Sequence, residues 1–112
     1  SAAMLAMRIE NSAVLVFTRS GDLAAKLGAL RPNGAPVFAF TDVDGLHRRL
    51  RLIWGIEPFL MPFSEDPELT VQEAIRKLKD EGWVHEKDQL VTVTNILADG
   101  KVIEGIQLRE VD

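Results

Sequence analysis

Ala13-Val-Leu-Val-Phe-Thr-Arg-Ser-Gly-Asp-Leu-Ala-Ala-Lys-Leu27 reads as a buried strand, a tight turn and the start of a helix. Val14, Leu15, Val16 and Phe17 form a continuous apolar run of β-forming residues, the pattern of a strand covered on both faces in a parallel sheet. Thr18, Arg19, Ser20 and Gly21 break that run, and Gly21 allows a backbone conformation that a Cβ would penalise. Leu23, Leu27 and Leu30 then recur at helical spacing. In an open α/β sheet, ligands bind beyond the carboxyl ends of strands, where helix N-terminal N–H groups favour anions. Any small-molecule site is therefore expected at Thr18, Arg19, Ser20, Gly21 and Asp22. The alternative is an ordinary strand-to-helix turn that binds nothing.

The 112 residues suit one domain, and a hydrophobic share of 46% is enough for a core. A net charge of −4 argues against a nucleic-acid partner, which needs a basic face. No apolar run approaches the ~20 residues that span a bilayer, so no membrane partner is expected. The first residues lack the order of a signal peptide, because Arg8 follows the apolar stretch instead of preceding it. The chain has no cysteine, so thiolate metal sites and disulfides are excluded. A cytoplasmic location fits this composition. The abrupt start suits a domain cut from a longer chain as well as a short natural protein.

Outward from the opening stretch, residues 2–10 read as a short helix stopped at Asn11, and Arg31-Pro-Asn-Gly34 as a loop. Pro36-Val-Phe-Ala-Phe-Thr41 is the second strand. Asp42 is placed to cap the next helix, with Val43, Leu46, Leu50, Ile53 and Trp54 as its apolar face and Gly55 as its end. His47, Arg48, Arg49 and Arg51 lie on the other face, either as an anion-binding cluster or as a solvated surface. Ile56-Glu-Pro-Phe-Leu-Met61 is the third strand. A third helix starts at Asp66-Pro67 or at the Thr70/Glu73 capping-box spacing, buries Val71, Ala74, Ile75 and Leu78, and stops at Gly82. Gln89-Leu-Val-Thr-Val-Thr94 is the fourth strand, and Asp99-Gly100 signals a tight turn. Ile106, Gln107, Leu108, Arg109, Glu110 and Val111 form a last strand with the alternation of a half-exposed edge. No helix separates it from the fourth strand, so the two should run antiparallel.

No catalytic set emerges. Asp42-Val-Asp44-Gly45 after a strand resembles the paired-aspartate signature of haloacid-dehalogenase-like phosphatases, but the first Asp sits where a helix cap belongs and basic residues follow. His47 and His85 lack metal-ligand spacing, and Ser20 has no evident His partner. There is no Walker P-loop. The strand ends Phe17-Thr18 and Leu60-Met61 lack the acidic residues of a response-regulator receiver.

Taken together, Val16-Phe-Thr-Arg-Ser-Gly21, Leu30-Arg-Pro32, Pro36-Val-Phe-Ala-Phe-Thr41 and Arg49-Leu-Arg-Leu-Ile-Trp-Gly-Ile-Glu-Pro58 resemble the C-terminal domain of pyruvate kinase. The likeness continues through the helix at 74–82, Lys87-Asp88 and Val91-Thr-Val93. It implies an α/β fold of three α/β/α layers, with a mixed five-stranded sheet of order 3-2-1-4-5 and strand five antiparallel. It implies one regulatory domain over residues 1–112, a piece of a longer chain. Such a domain is not catalytic: phosphoenolpyruvate, ADP, Mg²⁺ and K⁺ bind a separate barrel, so no cofactor is expected in this chain.

The family's effector phosphate sits on a Thr-x-Ser-Gly turn, which Thr18, Ser20 and Gly21 match and which Arg19 and Asp22 complete. A phosphorylated small-molecule effector is the partner this implies. Asp22 departs from the pattern, because a carboxylate near a bound phosphate repels it by several kcal/mol at ~4 Å in an effective dielectric of about 20. Leu23 replaces a common hydroxyl residue, and the 64–71 region lacks the Trp and Arg that contact a second phosphate. These departures argue against control by fructose bisphosphate. The last strand is expected to self-associate, with Arg109 of one copy near Glu110 or Glu104 of the other. Two other readings use the same fold: a free-standing binder of phosphate esters, and a structural oligomerisation module.

Overall fold

A computed structural model describes residues 12–30, 36–94 and 105–112. The helix expected at 2–10, the loop at 31–34 and the turn at Asp99-Gly100 lie outside the described residues. The elements run β1 (Ala13–Phe17), α1 (Asp22–Leu30), β2 (Val37–Thr41), α2 (Asp44–Leu50), β3 (Ile56–Leu60), α3 (Pro67–Asp80), β4 (Gln89–Val93) and β5 (Ile106–Glu110). The sheet order is β3-β2-β1-β4-β5. β1 pairs in parallel with β2 and β4, and β2 with β3, while β4 and β5 are antiparallel. Fold class, strand order and the direction of the last strand are as expected from the sequence.

The apolar run of β1 serves both faces, because successive side chains of a strand point to opposite sides. Val14 and Val16 pack with Ala24 and Leu27 of α1 and with Leu46 and Leu50 of α2. Leu15 and Phe17 join Phe38, Phe40 and Phe59 beneath Val71, Ala74 and Leu78 of α3. Among the described residues, two helices thus cover one face and one helix the other, which gives the three layers. Phe40 and Phe59 stack with centroids 4.8 Å apart, and Trp83 meets Phe59 edge-on at 5.9 Å.

Two helices differ from expectation. On α1 the buried face is carried by Ala24 and Leu27, and Leu23 is half-exposed. Leu23 lies about one 100° step from Ala24 around the helix, outside the stripe that meets the sheet. α2 ends at Leu50, five residues before Gly55. Leu46 and Leu50 are buried and Ile53 packs partly, but Val43 is exposed and Trp54 is 82% exposed. Past Leu50 the chain turns through Leu52 N–H to Arg49 O and Ile53 N–H to Leu50 O, which takes Trp54 off the helical stripe. The turn comes down onto α1 at Gly28, where a Cβ would sit 3.2 Å from both Trp54 O and Ile56 Cγ1.

Asp66-Pro67 starts α3: Asp66 is the N-cap, its carboxylate accepts from Glu68 N–H at 3.0 Å, and Pro67 takes the first turn. Thr70 is instead buried inside the helix, and its Oγ1 accepts from Ser64 N–H at 2.8 Å. The helix closes before Gly82, as expected.

Candidate phosphate turn and edge strand

The 18–22 turn leaves the carboxyl end of β1. Thr18 N–H donates to Phe40 O at 2.9 Å, so the pairing with β2 continues one residue beyond the strand. The Thr18 side chain is only 4% exposed, and its Oγ1 accepts from Gly21 N–H at 2.7 Å. Gly21 has φ +85°, and a Cβ there would lie 3.0 Å from Leu46 Cδ1 and 3.3 Å from Leu50 Cδ2. Glycine is therefore required both by conformation and by the approach of α2. Ser20 Oγ accepts from Asp22 N–H at 3.3 Å, and Gly21 O accepts from Ala25 N–H as α1 begins.

Arg19, Ser20 and Asp22 are exposed, whereas Thr18 and Gly21 are buried. The hydroxyls of Thr18 and Ser20, though each accepts an amide N–H, keep a proton they can donate. With the N-terminal amides of α1, the exposed Ser20 hydroxyl forms a polar rim, and the Thr18 hydroxyl lies buried beneath it. Asp22, the first residue of α1, adds negative charge there.

Asp42 does not cap α2. Val43 is the N-cap residue, with no side-chain cap bond. The Asp42 carboxylate instead takes both arms of Arg19, from Nε at 3.1 Å and from Nη2 at 2.9 Å. The Arg19 guanidinium also lies 5.4 Å from the centre of the Phe63 ring. This pair was not read from the sequence, because its members are 23 residues apart. The available signal was topological: β1 and β2 are adjacent and parallel, so the residues just past their ends are neighbours. Asp44 pairs with Arg48 one helical turn on, so each member of the phosphatase-like Asp pair is held by a guanidinium. Of the basic cluster on α2, Arg48, Arg49 and Arg51 are exposed and His47 half-buried. Among the described residues, no three His, Cys, Asp or Glu side chains are grouped to hold a metal ion.

β5 is the edge of the sheet. Thr94 N–H donates to Gly105 O and Val111 N–H to Asp88 O. With the register Thr92↔Gln107 and Leu90↔Arg109, this alternation turns the backbone groups of Gln107 and Arg109 towards β4. Those of Ile106, Leu108 and Glu110 face outward, and Leu108 is half-exposed. The Arg109 guanidinium is engaged within its own chain, by Glu68 and by Gln107 Oε1. Its hydrogen bonds hold the Glu68 carboxyl below its ordinary value of 4.5, and Glu68 raises Arg109 in turn. A groove of about 600 Å³ opens between α3 and β5, away from the turn, lined by Gln72, Ile75, Arg76, Lys79, Asp80, Arg109, Glu110 and Asp112.

The family described as pyruvate kinase, alpha/beta domain, matches residues 1–101. The chain belongs to that family. Its relatives include pyruvate kinase isozyme A, chloroplastic, of Nicotiana tabacum, 36% identical over 103 residues, which cover 92% of this chain and 17% of the relative. The pyruvate kinase of Agrobacterium vitis is 31% identical over 94 residues, 84% of this chain and 20% of the relative. The chain thus spans about a fifth or less of the relatives' length. A crystal structure of a pyruvate kinase from Cryptosporidium parvum superposes with a TM-score of 0.80 at 17% identity, covering 99% of this chain and 21% of that one. Among the described residues, no helix is long and apolar enough to cross a membrane.

Proposed function

We propose that this chain is the regulatory and subunit-contact domain of a pyruvate kinase, itself without catalytic activity. In this reading the parent enzyme transfers phosphate from phosphoenolpyruvate to ADP on a barrel elsewhere in its chain, with Mg²⁺ and K⁺ held there and no cofactor here. The 18–22 turn receives a phosphorylated small-molecule effector, and residues 106–111 contact a second copy. A cytoplasmic location, expected from the sequence, belongs to the same reading.

The observation that carries the proposal is the 18–22 turn on its parallel-sheet scaffold. Gly21 at φ +85° brings Thr18 and Ser20 hydroxyls to the amino end of α1, beyond the carboxyl end of β1, where α/β sheets place anionic ligands. The match to the family over residues 1–101 supports the assignment to such an enzyme. The outward backbone groups of Ile106, Leu108 and Glu110 support the subunit contact.

The test is a coupled assay of the purified chain with phosphoenolpyruvate, ADP, Mg²⁺ and K⁺, beside calorimetry with a hexose monophosphate. No turnover together with saturable binding is expected. Turnover that survives repurification would defeat the non-catalytic reading. Absence of phosphate-ester binding would leave the structural oligomerisation module in its place.

A further inference from the structure

We propose that Asp42 is an internal competitor at the phosphate turn. It occupies the Arg19 guanidinium that a phosphate ester would otherwise engage, so binding exchanges a carboxylate for a phosphate on one fork. This inference rests on reading residues 18–22 as an effector turn.

Arg19 lies within the turn, between the two hydroxyl residues Thr18 and Ser20. Its Nε and Nη2 meet the two oxygens of Asp42 at 3.1 and 2.9 Å, the paired geometry that guanidinium also offers to two phosphate oxygens. The Arg19 side chain is 54% exposed and that of Asp42 26%, so the pair is open to a ligand from solvent. An ion pair this exposed is held weakly, and a dianion can displace it.

Phe63 keeps the fork in place through the exchange. Its ring lies under the guanidinium at 5.4 Å and is fixed edge-on to Phe17 at 5.6 Å, independently of Asp42. The backbone carrying Asp42 is also held on its own account, because the Thr41 hydroxyl, fully buried, accepts from Val43 N–H at 3.1 Å. Both partners therefore sit on supports that do not depend on the bond between them. Replacing Asp42 should alter the charge and occupancy of the fork without unmaking the turn.

The test titrates inorganic phosphate and a hexose monophosphate by calorimetry into the wild type, Asp42→Asn, Asp42→Ser, Arg19→Ala and the double variant Arg19→Ala/Asp42→Asn. Asp42→Asn and Asp42→Ser should each tighten binding about five- to tenfold. The gain should vanish in the double variant. A gain that persists without Arg19 would make Asp42 a simple source of repulsion and overturn the competition. No gain from either Asp42 variant, while the wild type does bind, would overturn it and leave the effector turn standing. No binding by any of these proteins at millimolar ligand would overturn both.

Discussion

Arg109 on β5 grips Glu68 at the start of α3, from Nη1 to Oε2 at 2.8 Å and from Nη2 to Oε1 at 2.5 Å. The residues are 41 positions apart, and the pair ties the edge strand to the helix covering that face. Gln107 and Gln72 hold the two partners from either side. The guanidinium that the sequence suggested for contact with a second copy is thus already employed within one chain.

The pair makes stability depend on pH with a definite sign. Glu68 is held below its ordinary value of 4.5, chiefly by the hydrogen bonds from Arg109. Its stabilisation is therefore complete above about 4.5 and is lost as the pH falls through the lower, folded-state value. Glu68 is half exposed, so the size is about 0.5 kcal/mol. Glu68→Gln should lower the urea midpoint at neutral pH by that amount. Well below pH 4.5 the two proteins should unfold together, and a gap unchanged with pH would contradict this.

Gly21→Ala should cost about 2 kcal/mol. Its backbone sits at φ +85°, and the added methyl would press on Leu46 at 3.0 Å and Leu50 at 3.3 Å, two buried side chains. Urea unfolding checks the size. A loss below about 0.5 kcal/mol would mean that the turn relaxes without the positive φ.

The strands were legible as apolar runs separated by glycine, proline and helical periods, and the direction of the last one from a sequence before it that reads as a turn instead of a helix, whereas the strand order came only from the resemblance to the C-terminal domain of pyruvate kinase. Trp54 and Asp42 show where such reading ends. Trp54 fits a helical stripe by spacing, but α2 stops at Leu50, where the chain must turn down onto Gly28. Asp42 fits a cap by position, but α2 starts one residue later with Val43 as its N-cap, and the Asp42 carboxylate pairs with a guanidinium from the neighbouring strand end. Both depend on what lies across the fold, which local pattern does not carry.

Asp22→Thr separates binding from stability at the turn. The carboxylate lies at the first position of α1, where it complements the helix dipole, so its loss should cost about 0.5 kcal/mol of stability. The same loss removes repulsion towards a phosphate ester, with binding tightened about tenfold, or ~1.4 kcal/mol. Calorimetry and urea unfolding on one pair of proteins read both quantities. Equal affinities would mark the turn as structural.

The two sheet edges are unequal, and this decides which one can take a second copy. On β3, Met61 N–H donates to Thr41 O and Gly55 O accepts from Val37 N–H, so the alternate position, Pro58, faces outward. Proline there offers no donor, which blunts that edge. On β5 the outward positions are Ile106, Leu108 and Glu110, all with N–H groups. An antiparallel copy can pair with them under two-fold symmetry. Leu108→Pro removes an outward donor while leaving the backbone bonds of Gln107 and Arg109 to β4 in place. It should therefore weaken self-association at least tenfold and cost little in unfolding free energy. The contact is one strand wide, so the wild type is expected to be a weak dimer. Sedimentation over a wide concentration range measures both proteins. A wild type that stays monomeric at high concentration, or a dimer that Leu108→Pro leaves untouched, would remove β5 from the contact.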